Sequence, residues 1–476
     1  MAKSSSNKIF ENCEVVDIAD KGKSVAKTKS GETIFLENAV PGDVVDIKVK
    51  RKRKGTFFGE ILKFNARSEQ RTKPVCEHFG ICGGCKWQNM NYNSQLFYKE
   101  RRVHENLFRI GKIKPKTVLP ILASEKIYHY RNKMEYSFSN TRWLSESEIK
   151  SKKKFTREAL GLHKKGRWDK IVDIKKCHLQ DDISNTIRNQ IKKFAIENEI
   201  EFFDPYKNKG LLKSLMIKIT STKNIMVLLQ FGSQSDFIYD ILSFLKKSFQ
   251  DINSILYIIN SKPNDSIYDQ KVNLFFGKDY IIEEICGLRF KISAKTFFQT
   301  NSIQAEKLFY LVKKFLEPNK NDILYDLYTG IGTIGQILSK DVKKVIGIDV
   351  VEDSISYATE NSKLNNLFPG RVEILDPNAG VGYKIIGDIH QGFSNRFSHI
   401  RWTALTQEFG TFKPLVVLQS LVTENRWTQY GKYMTEIEAR RHWSREQLLR
   451  AFNPKDVVWQ YDIVSRGRAV FNISRE

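Results

Sequence analysis

The chain has 476 residues, of which 41% are hydrophobic and 12% aromatic, and it carries a formal net charge of +24. This length predicts two to four domains, and the apolar content excludes global disorder. The positive charge favours nucleic acid as the partner, the alternative being a Lys-rich surface that is only solvated. No stretch approaches the ~18 apolar residues of a membrane-spanning helix, and the N-terminal segment has no apolar signal region. We therefore expect a cytoplasmic protein without a membrane partner, and a monomer.

The first segment, residues 7–64, contains short strand-like runs separated by Gly or Pro-Gly, such as CEVVDIAD and DVVDIKVK. Short strands at regular spacing are typical of a small β-barrel. Six of the seven residues in the run 48–54 are basic, and the run lies on the last of these strands. We expect this run to contact an RNA backbone, the alternative being an edge strand that its charge protects from aggregation.

The next segment, residues 65–290, mixes strand-like and helix-like patterns and predicts an α+β domain. LMIKIT and NIMVLLQF have the composition of adjacent strands, whereas DFIYDILSFLKKSFQ has helical spacing. A second basic run, KSKKKFTR at residues 150–157, predicts an exposed loop or hairpin.

The cysteines are the most informative pattern of this segment. Cys76-x5-Cys82-x2-Cys85 lies among three glycines, which let the backbone curl so that several sulfur atoms face one point. Cys177, in DIKKCHLQ, is the best candidate for a fourth ligand. Clustered thiolates in a reducing compartment suit an iron–sulfur cluster or tetrahedral zinc, and the spacing does not separate the two. The alternative is unrelated buried cysteines, which is what we expect for the remaining pair, Cys13 and Cys286.

From about residue 303 the pattern alternates between helix and strand and predicts a parallel sheet. ILYDLYTG is a buried strand that runs into a glycine-rich turn, and the turn opens a helix. Asp349 ends the next strand, 19 residues after Gly330. An acid at that place can accept hydrogen bonds from ribose hydroxyls, so we expect a cofactor that contains adenosine. The spacing leaves NAD and S-adenosylmethionine open, and the alternative is a structural turn with a solvated Asp349.

After about residue 368 the composition changes abruptly. Residues 1–368 contain 50 Lys and 13 Arg, whereas residues 369–476 contain 4 Lys and 11 Arg. Four of the seven Trp also fall in the second segment. We interpret residues 369–476 as a segment of different origin. One hypothesis assigns a further metal site to its histidines, His390, His399 and His442.

Taken together, these motifs resemble those of the RNA uracil-C5 methyltransferases, in particular the large-subunit (23S) rRNA branch. The VPGD turn and the strands around it resemble a TRAM domain, an OB-like barrel. CEHFGICGGCKWQNMNYNSQLFYKE and GLHKKGRWDKIVDIKKCHL resemble the family's cluster segments, and ISAKTFFQTN and DLYTGIGTIG its cofactor segments. The resemblance covers residues 7–368. It divides the chain into a TRAM-like barrel (7–64), a central RNA-binding domain with the cluster (65–290), the start of a Rossmann-like methyltransferase domain (291–368) and an unrecognised segment (369–476).

The resemblance implies two cofactors, a [4Fe–4S] cluster and S-adenosylmethionine. It makes Cys76, Cys82, Cys85 and Cys177 the cluster ligands. It also assigns contacts with S-adenosylmethionine to Gln299, Tyr328 and Asp349, with Thr333 as a further candidate. The presence of both a TRAM-like barrel and a cluster favours 23S ribosomal RNA over tRNA as the partner, since the tRNA branch resembles only the later domains.

The chain departs from the family pattern where the chemistry should lie. The family adds a cysteine thiolate to carbon 6 of uracil, and a general base later removes the proton on carbon 5. No cysteine follows Cys286, and the segments that carry the nucleophile and the base are absent. We therefore assign no catalytic residue, and we expect a methyltransferase domain truncated or replaced after residue 368.

Three functions follow from these patterns. The first is a 23S rRNA (uracil-5-)-methyltransferase, and the second is a non-catalytic RNA-binding iron–sulfur protein. The third, a radical enzyme, is disfavoured because Cys177 would fill the open iron position that such enzymes need.

Overall fold

The structure is a computed structural model that describes residues 8–53, 55–151, 153–349, 351–367 and 370–375, together with three strands beyond residue 414. The chain forms two compact units. The first consists of the chain up to residue 217 with residues 227–250 and 256–275, and the second consists of residues 218–226, 251–255 and the chain from residue 276.

The first unit begins with a closed barrel of five strands in the order β1-β2-β3-β5-β4. These strands are β1 (Ile9–Ile18), β2 (Ser24–Lys27), β3 (Thr33–Leu36), β4 (Val44–Arg53) and β5 (Thr56–Ala66), with a 3-10 turn at Asp20–Gly22. Alternate residues of the strands point inward, so Val15, Ile34 and Ile47 are fully buried in one core. Cys13 is also fully buried in that core, as predicted. The predicted N-terminal barrel is confirmed.

The chain from residue 92 to residue 277 contains helices and a seven-stranded sheet in the order β12-β11-β10-β9-β6-β7-β8. Its strands are β6 (Lys133–Ser139), β7 (Ala159–His163), β8 (Ile171–Asp173), β9 (Leu212–Ile219), β10 (Ile225–Phe231), β11 (Ile252–Ile259) and β12 (Asn273–Gly277). Its helices are α1 (Tyr92–Glu105), which continues as a π-helical turn (Asn106–Ile110), α2 (Glu146–Lys150), α3 (Ile183–Glu197) and α4 (Phe237–Ser248). Helix α4 is buried through Ile238, Ile241, Leu242 and Leu245, the i, i+3, i+4, i+7 spacing of an apolar helix face.

The second unit opens with a hairpin of β13 (Tyr280–Ile285) and β14 (Leu288–Ser293), followed by helix α5 (Ser302–Leu316). A six-stranded sheet follows in the order β17-β16-β15-β18-β20-β19. Its elements are β15 (Ile323–Leu327), α6 (Thr333–Leu338) with a 3-10 turn (Ser339–Asp341), β16 (Lys344–Ile348), α7 (Glu352–Leu364), β17 (Val372–Leu375), β18 (Leu415–Leu421), β19 (Val458–Val464) and β20 (Arg468–Ser474). Strands β17, β16, β15 and β18 are parallel, and β20 is antiparallel to both β18 and β19.

The three last strands correct one expectation. Truncation after residue 368 would leave the parallel sheet without its later strands, yet β18 pairs with β15 from Leu324↔Leu415 to Leu327↔Leu418, and the hairpin of β19 and β20 continues the sheet. Apolar, strand-like runs such as VVWQYDIV supply these strands. The segment after residue 368 therefore contributes to the same sheet as the segment before it.

Among the described residues, none of the helices combines the length and the apolar composition required to cross a bilayer.

Candidate thiolate and cofactor sites

Three of the four predicted thiolate ligands lie in one curled loop between β5 and α1. The N–H of Phe79 donates to the carbonyl of Cys76 at 3.1 Å, and the N–H of Cys82 donates to the carbonyl of His78 at 2.9 Å. Between them Gly80 has a φ of +87°, a conformation that residues with a side chain rarely adopt. The loop therefore turns back on itself within a few residues, as the glycine spacing predicted.

Cys177 reaches the same place from a distant part of the chain. It lies between β8 and α3, and only 7% of it is exposed. One pocket is lined by all four candidate ligands: Cys76, Cys82, Cys85 and Cys177. The apolar side chains of Leu162, Ile174 and Leu179 complete its wall. The structure thus brings together the four cysteines that the sequence assigned to one site.

Burial raises the pKa of the loop thiols, to about 11 for Cys82, and also raises the pKa of Cys76 and of Cys85. The neighbouring cysteines add to each rise in pKa, because their thiolates would repel one another. Gln88 Nε2 donates to Cys85 Sγ at 3.2 Å, and the backbone N–H of Gly84 donates to Cys82 Sγ at 3.4 Å. Thiols in such surroundings stay protonated at neutral pH unless a bound metal takes the place of the proton.

The arrangement of the sulfurs bears on the kind of metal group. Within the described part of the chain, no set of three or more His, Cys, Asp or Glu side chains is placed so that it could hold a single metal ion. Four thiolates are the ligand set of tetrahedral zinc and of an iron–sulfur cluster alike.

A fully buried arginine lies beside this pocket, and the sequence patterns did not reveal it. Arg188 of α3 donates to the carbonyl of Ile174 at 3.2 Å, to the carbonyl of Lys175 at 2.9 Å and to Asn185 Oδ1 at 3.0 Å. Its guanidinium lies 4.8 Å from the centroid of the Tyr136 ring. No described carboxylate pairs with it. A buried charge without a counterion is costly, and an anionic group held by the four thiolates would offset that cost.

The second site is the turn between β15 and α6. The carboxylate of Asp349 accepts from the N–H of Gly330 at 2.8 Å and from the N–H of Val351 at 2.9 Å. Gly330 and Gly332 have φ values of +58° and +81°, so the turn uses the conformational freedom of glycine. Asp349 is 8% exposed. The predicted acid therefore contacts the predicted glycine turn directly.

A second carboxylate, Asp326 in β15, is hydrogen-bonded to the turn. It is buried, and its Oδ2 accepts from Thr329 Oγ1 at 2.8 Å and from the N–H of Gly335 at 2.9 Å. Burial raises the pKa of Asp326 to about 6. Asp326 thus connects Thr329 and Gly335 on either side of the turn. Asp349 is the acid that contacts the turn at Gly330.

The other predicted cofactor residues are distributed around this turn and one further loop. Tyr328 follows β15 with a φ of +59° and is 40% exposed, and partial burial followed by the charge of Asp349 raises the pKa of its hydroxyl. Thr333 is the first residue of α6 and is half-buried. Gln299 is half-buried on a separate loop of the same unit, between β14 and α5.

Cys286 does not lie in a strand core, and this prediction was wrong. Cys286 and Gly287 form the two-residue turn between β13 and β14, with φ values of +51° and +71°. Such a turn is typical of tight hairpins, and the apolar residues on either side conceal it in the sequence. Burial, with the charge of Glu306, raises the pKa of Cys286 to about 12. A thiol with this pKa is not activated as a nucleophile.

The histidines proposed as a further metal site, His390, His399 and His442, lie outside the described residues.

The basic side chains of residues 50–53 are exposed. Arg51, Lys52 and Arg53 pair with β5 and lie beyond the part of β4 that pairs with β1. The cation of Arg51 lies 4.5 Å from the ring centroid of Phe58, and that of Lys52 lies 4.8 Å from the ring centroid of Phe57. Among the described strands these residues have no partner on the side away from β5, so RNA contact and protection of an unpaired edge both agree with the fold.

Two family models match the chain. A TRAM domain matches residues 14–62, which lie in the barrel. A protein family of unknown function matches residues 306–466.

Curated relatives match most of the chain. An uncharacterized RNA methyltransferase of Bacteroides thetaiotaomicron is 42% identical over 355 residues, which cover 74% of this chain and 78% of the relative. An uncharacterized RNA methyltransferase of Clostridium tetani is 35% identical over 341 residues, covering 71% of this chain and 72% of the relative.

Among solved structures, the fold is similar to that of the Pyrococcus abyssi tRNA (uracil-54, C5)-methyltransferase in complex with S-adenosyl-L-homocysteine. The TM-score is 0.64, the identity is 22%, and the match covers 97% of this chain and 98% of the other. At this identity the likeness concerns the fold.

Proposed function

This chain belongs to a family of RNA methyltransferases, and from that premise we propose that it is a member of the uracil-C5 branch that binds RNA, S-adenosylmethionine and a [4Fe–4S] cluster. The RNA is proposed to be 23S ribosomal RNA. We further propose that the chain does not itself methylate uracil through a cysteine adduct, so that it acts as an RNA-binding member of the family.

The observation that carries the cofactor proposal is the hydrogen bond between Gly330 and Asp349. An acid at the end of the second parallel strand, bonded to the glycine turn after the first, faces the place where the ribose of an adenosine cofactor binds. Tyr328 and Thr333 flank that place. Of the two cofactors that the turn could take, S-adenosylmethionine is the one that the methyltransferase family uses.

The cluster proposal depends on the donor set and on its surroundings. Four thiols line one pocket, and the N–H groups of Gln88 and Gly84 donate to two of the sulfurs. Beside them Arg188 is buried without a carboxylate partner among the described residues. When bound, the cluster would link the loop 76–85, through three cysteines, to the segment after β8, through Cys177. Cys76, Cys82, Cys85 and Cys177 would hold it.

The RNA proposal is supported by the barrel and the exposed basic hairpin end at residues 50–53. The preference for ribosomal RNA has weaker support than the sequence suggested. The sequence favoured ribosomal RNA because the tRNA branch resembles only the later domains of this chain. The fold of the P. abyssi tRNA enzyme, however, matches 97% of this chain, the barrel included. The barrel therefore does not distinguish the two substrates, and a direct comparison of RNAs must do so.

The inactivity proposal concerns the nucleophile. In the printed sequence the last cysteine is Cys286, and burial holds its pKa near 12. It lies in the turn between β13 and β14, where its N–H donates to Glu306 Oε1 at 3.0 Å. No described cysteine is therefore suited to attack carbon 6 of uracil.

Two measurements on the purified protein test these proposals. In the first, the protein is incubated with methyl-labelled S-adenosylmethionine and with undermethylated 23S rRNA or tRNA. In the second, binding of S-adenosylhomocysteine and of each RNA is measured by calorimetry. We expect binding of the cofactor analogue and of rRNA, without methyl incorporation. Incorporation of label at carbon 5 of uridine would overturn the inactivity proposal and favour the active enzyme. Tighter binding of tRNA than of rRNA would overturn the assignment to 23S rRNA.

A further inference from the structure

An open cavity of about 350 Å³ lies between the cysteine loop and the tip of the β7–β8 hairpin. Its charged and aromatic lining comprises Lys86, His163, Lys164, Lys165, Arg167 and Trp168, and two glycines complete it. None of the described residues that line the cavity is acidic. Lys86 also interacts electrostatically with Cys82 and Cys85 of the thiolate site.

Trp168 is the aromatic wall of the cavity. It is 66% exposed, which is unusual for the largest apolar side chain, and its ring packs edge-on against Tyr206 with centroids 5.6 Å apart. Exposed indoles that are held in place serve as stacking platforms for nucleic-acid bases, which all present a π-face.

The position of Trp168 is fixed by the residue that follows it. Asp169 is 3% exposed, and its carboxylate accepts from Arg167 Nε at 2.6 Å and from the hydroxyl of Tyr206. Its carbonyl accepts from Thr141 Oγ1 at 2.5 Å. The tip is therefore ordered before any ligand arrives, which lowers the entropic cost of binding.

The cations of the cavity are not equivalent. Arg167 is paired with Asp169, and Lys165 lies 3.3 Å from Glu37. Among the described residues neither Lys86 nor Lys164 forms an ion pair within 4.0 Å, although the charge of Glu37 acts on Lys86. Lys164 Nζ instead lies 4.8 Å from the ring centroid of Trp143, and Lys86 Nζ donates to the carbonyl of Gly83 at 3.2 Å. These two ammonium groups remain available to a phosphate.

We propose that this cavity binds one unpaired nucleotide of the RNA, with the base stacked on Trp168 and a phosphate held by Lys86 and Lys164. The proposal rests on the proposed RNA-binding function and names a site for it. An unpaired nucleotide is favoured over duplex RNA because a stacked base would occupy the indole face, and a paired base cannot leave its helix without loss of pairing. The size of the cavity lies in the usual range for small-ligand sites, large enough for one nucleotide.

The test measures binding of a fluorescein-labelled single-stranded 20-mer RNA to the full-length, cluster-loaded protein by anisotropy at several salt concentrations. Trp168→Ala should weaken binding roughly 5- to 150-fold, because that is the usual effect of losing one base-stacking aromatic side chain. Trp168→Phe should retain most of the affinity. The double substitution Lys86→Ala and Lys164→Ala should weaken binding. The slope of log K against log salt concentration should become smaller in magnitude by about two, because two phosphate contacts are lost.

Two matched controls separate this site from general effects. Tyr268→Ala removes another exposed aromatic side chain of the same unit, 63% exposed, and Lys246→Ala with Lys247→Ala removes two exposed charges from α4. Both controls should bind as the unaltered protein does. Circular dichroism and the visible absorbance of the cluster verify that each variant is folded.

The outcomes are distinct. If the unaltered protein binds the 20-mer and Trp168→Ala and the double lysine variant bind it equally well, the nucleotide site is refuted while the RNA-binding function stands. If the unaltered protein binds no RNA at all, the proposed function fails and this site fails with it. An equal loss of affinity in the control variants would also refute the site, since it would show that any aromatic ring or charge contributes as much.

Discussion

The backbone N–H of Cys177 and the guanidinium of Arg188 donate to the same atom, Oδ1 of Asn185, at 2.8 and 3.0 Å. Asn185 Nδ2 in turn donates to the carbonyl of Cys177 at 3.0 Å. The fourth thiolate is thus held on helix α3 by an amide that receives its orientation from a buried cation. Arg188 would be a positioning residue for the proposed cluster, because it acts through Asn185 and through the carbonyls of residues 174 and 175.

Replacement of Arg188 by Met should lower the reduction potential of the bound cluster. A buried positive charge stabilises the more negative, reduced cluster, so its removal favours the oxidised form. The midpoint potential, measured by dye titration monitored by electron paramagnetic resonance, tests this. Lys193→Met on the same helix, where the side chain is exposed, is the control. An unchanged potential in the Arg188 variant would show that the guanidinium has only a structural role.

Replacement of Cys177 by Ala should abolish or sharply reduce the content of iron and sulfide per chain. Three thiolates and no fourth ligand leave one iron exposed and open to loss. The matched control is Cys13→Ala, which removes a buried thiol from the barrel core and should leave the iron content unchanged. Elemental analysis also distinguishes the metals. Zinc without sulfide in the unaltered protein would contradict the cluster proposal.

Replacement of Asp349 by Ala should weaken the binding of S-adenosylhomocysteine roughly 10- to 100-fold, because hydrogen bonds to a charged group are worth about 1.5–3 kcal/mol. The turn would also lose the bond that holds Gly330. Calorimetric titration measures the affinity, and Asp353→Ala, an exposed acid at the start of α7, is the control. Equal affinities for the analogue in the two variants would remove Asp349 from the cofactor site.

Asp326 should make stability depend on pH in the direction opposite to most carboxylates. Burial raises its pKa from 3.8 to about 6 in the folded state, so the folded state binds more protons than the unfolded state between pH 4 and 6. Stability from this group is therefore present below about pH 4 and is lost as the pH rises to about 6. Asp326→Asn, which keeps an acceptor oxygen and cannot ionise, should gain about 2–3 kcal/mol relative to the unaltered protein over that interval.

Denaturant unfolding of both proteins at pH 4, 5, 6 and 7 gives the difference in unfolding free energy. Taking the difference cancels the contributions of other carboxylates, such as Glu32, whose pKa of about 2 acts in the opposite sense. A difference that does not change with pH would show that Asp326 ionises as an ordinary exposed acid does.

The sequence predicted the elements whose signal is local. Short strands with Pro-Gly turns indicate a barrel, and the strand, glycine turn and distant acid indicate a turn that binds an adenosine cofactor. The hydrogen bond between Gly330 and Asp349 is visible only in the fold. The clustered cysteines are equally visible in the sequence, because a thiolate site requires a rare residue at short spacing. Cys177 was the best candidate for the fourth ligand although 92 residues separate it from Cys85, and the family resemblance supported that choice.

Other features depend on contacts between distant segments and could not be predicted. Arg188 has ordinary helical spacing, and only the fold shows that it is buried without a counterion. In the sequence Trp168 is one aromatic residue in a basic hairpin, and only the fold shows that Tyr206 and Asp169 fix its position. Cys286 was misassigned because Ile285 and Leu288 continue an apolar run across the hairpin turn. The last three strands were missed because the change in composition at residue 368 concealed a strand pattern that the sheet still uses.

The position of Cys177 has a consequence for the chain as a whole. A cluster bound to Cys85 and Cys177 cross-links two points about 90 residues apart, and the enclosed stretch contains α1 and the strands β6 to β8. In the chain-entropy treatment used for disulfides, a cross-link that closes a loop of this length removes about 4–5 kcal/mol of conformational freedom from the unfolded chain. That is a large share of the stability of a typical domain. The metal group would thus act as a staple for the first unit, and loss of iron would lower its melting temperature before any step of RNA chemistry was affected.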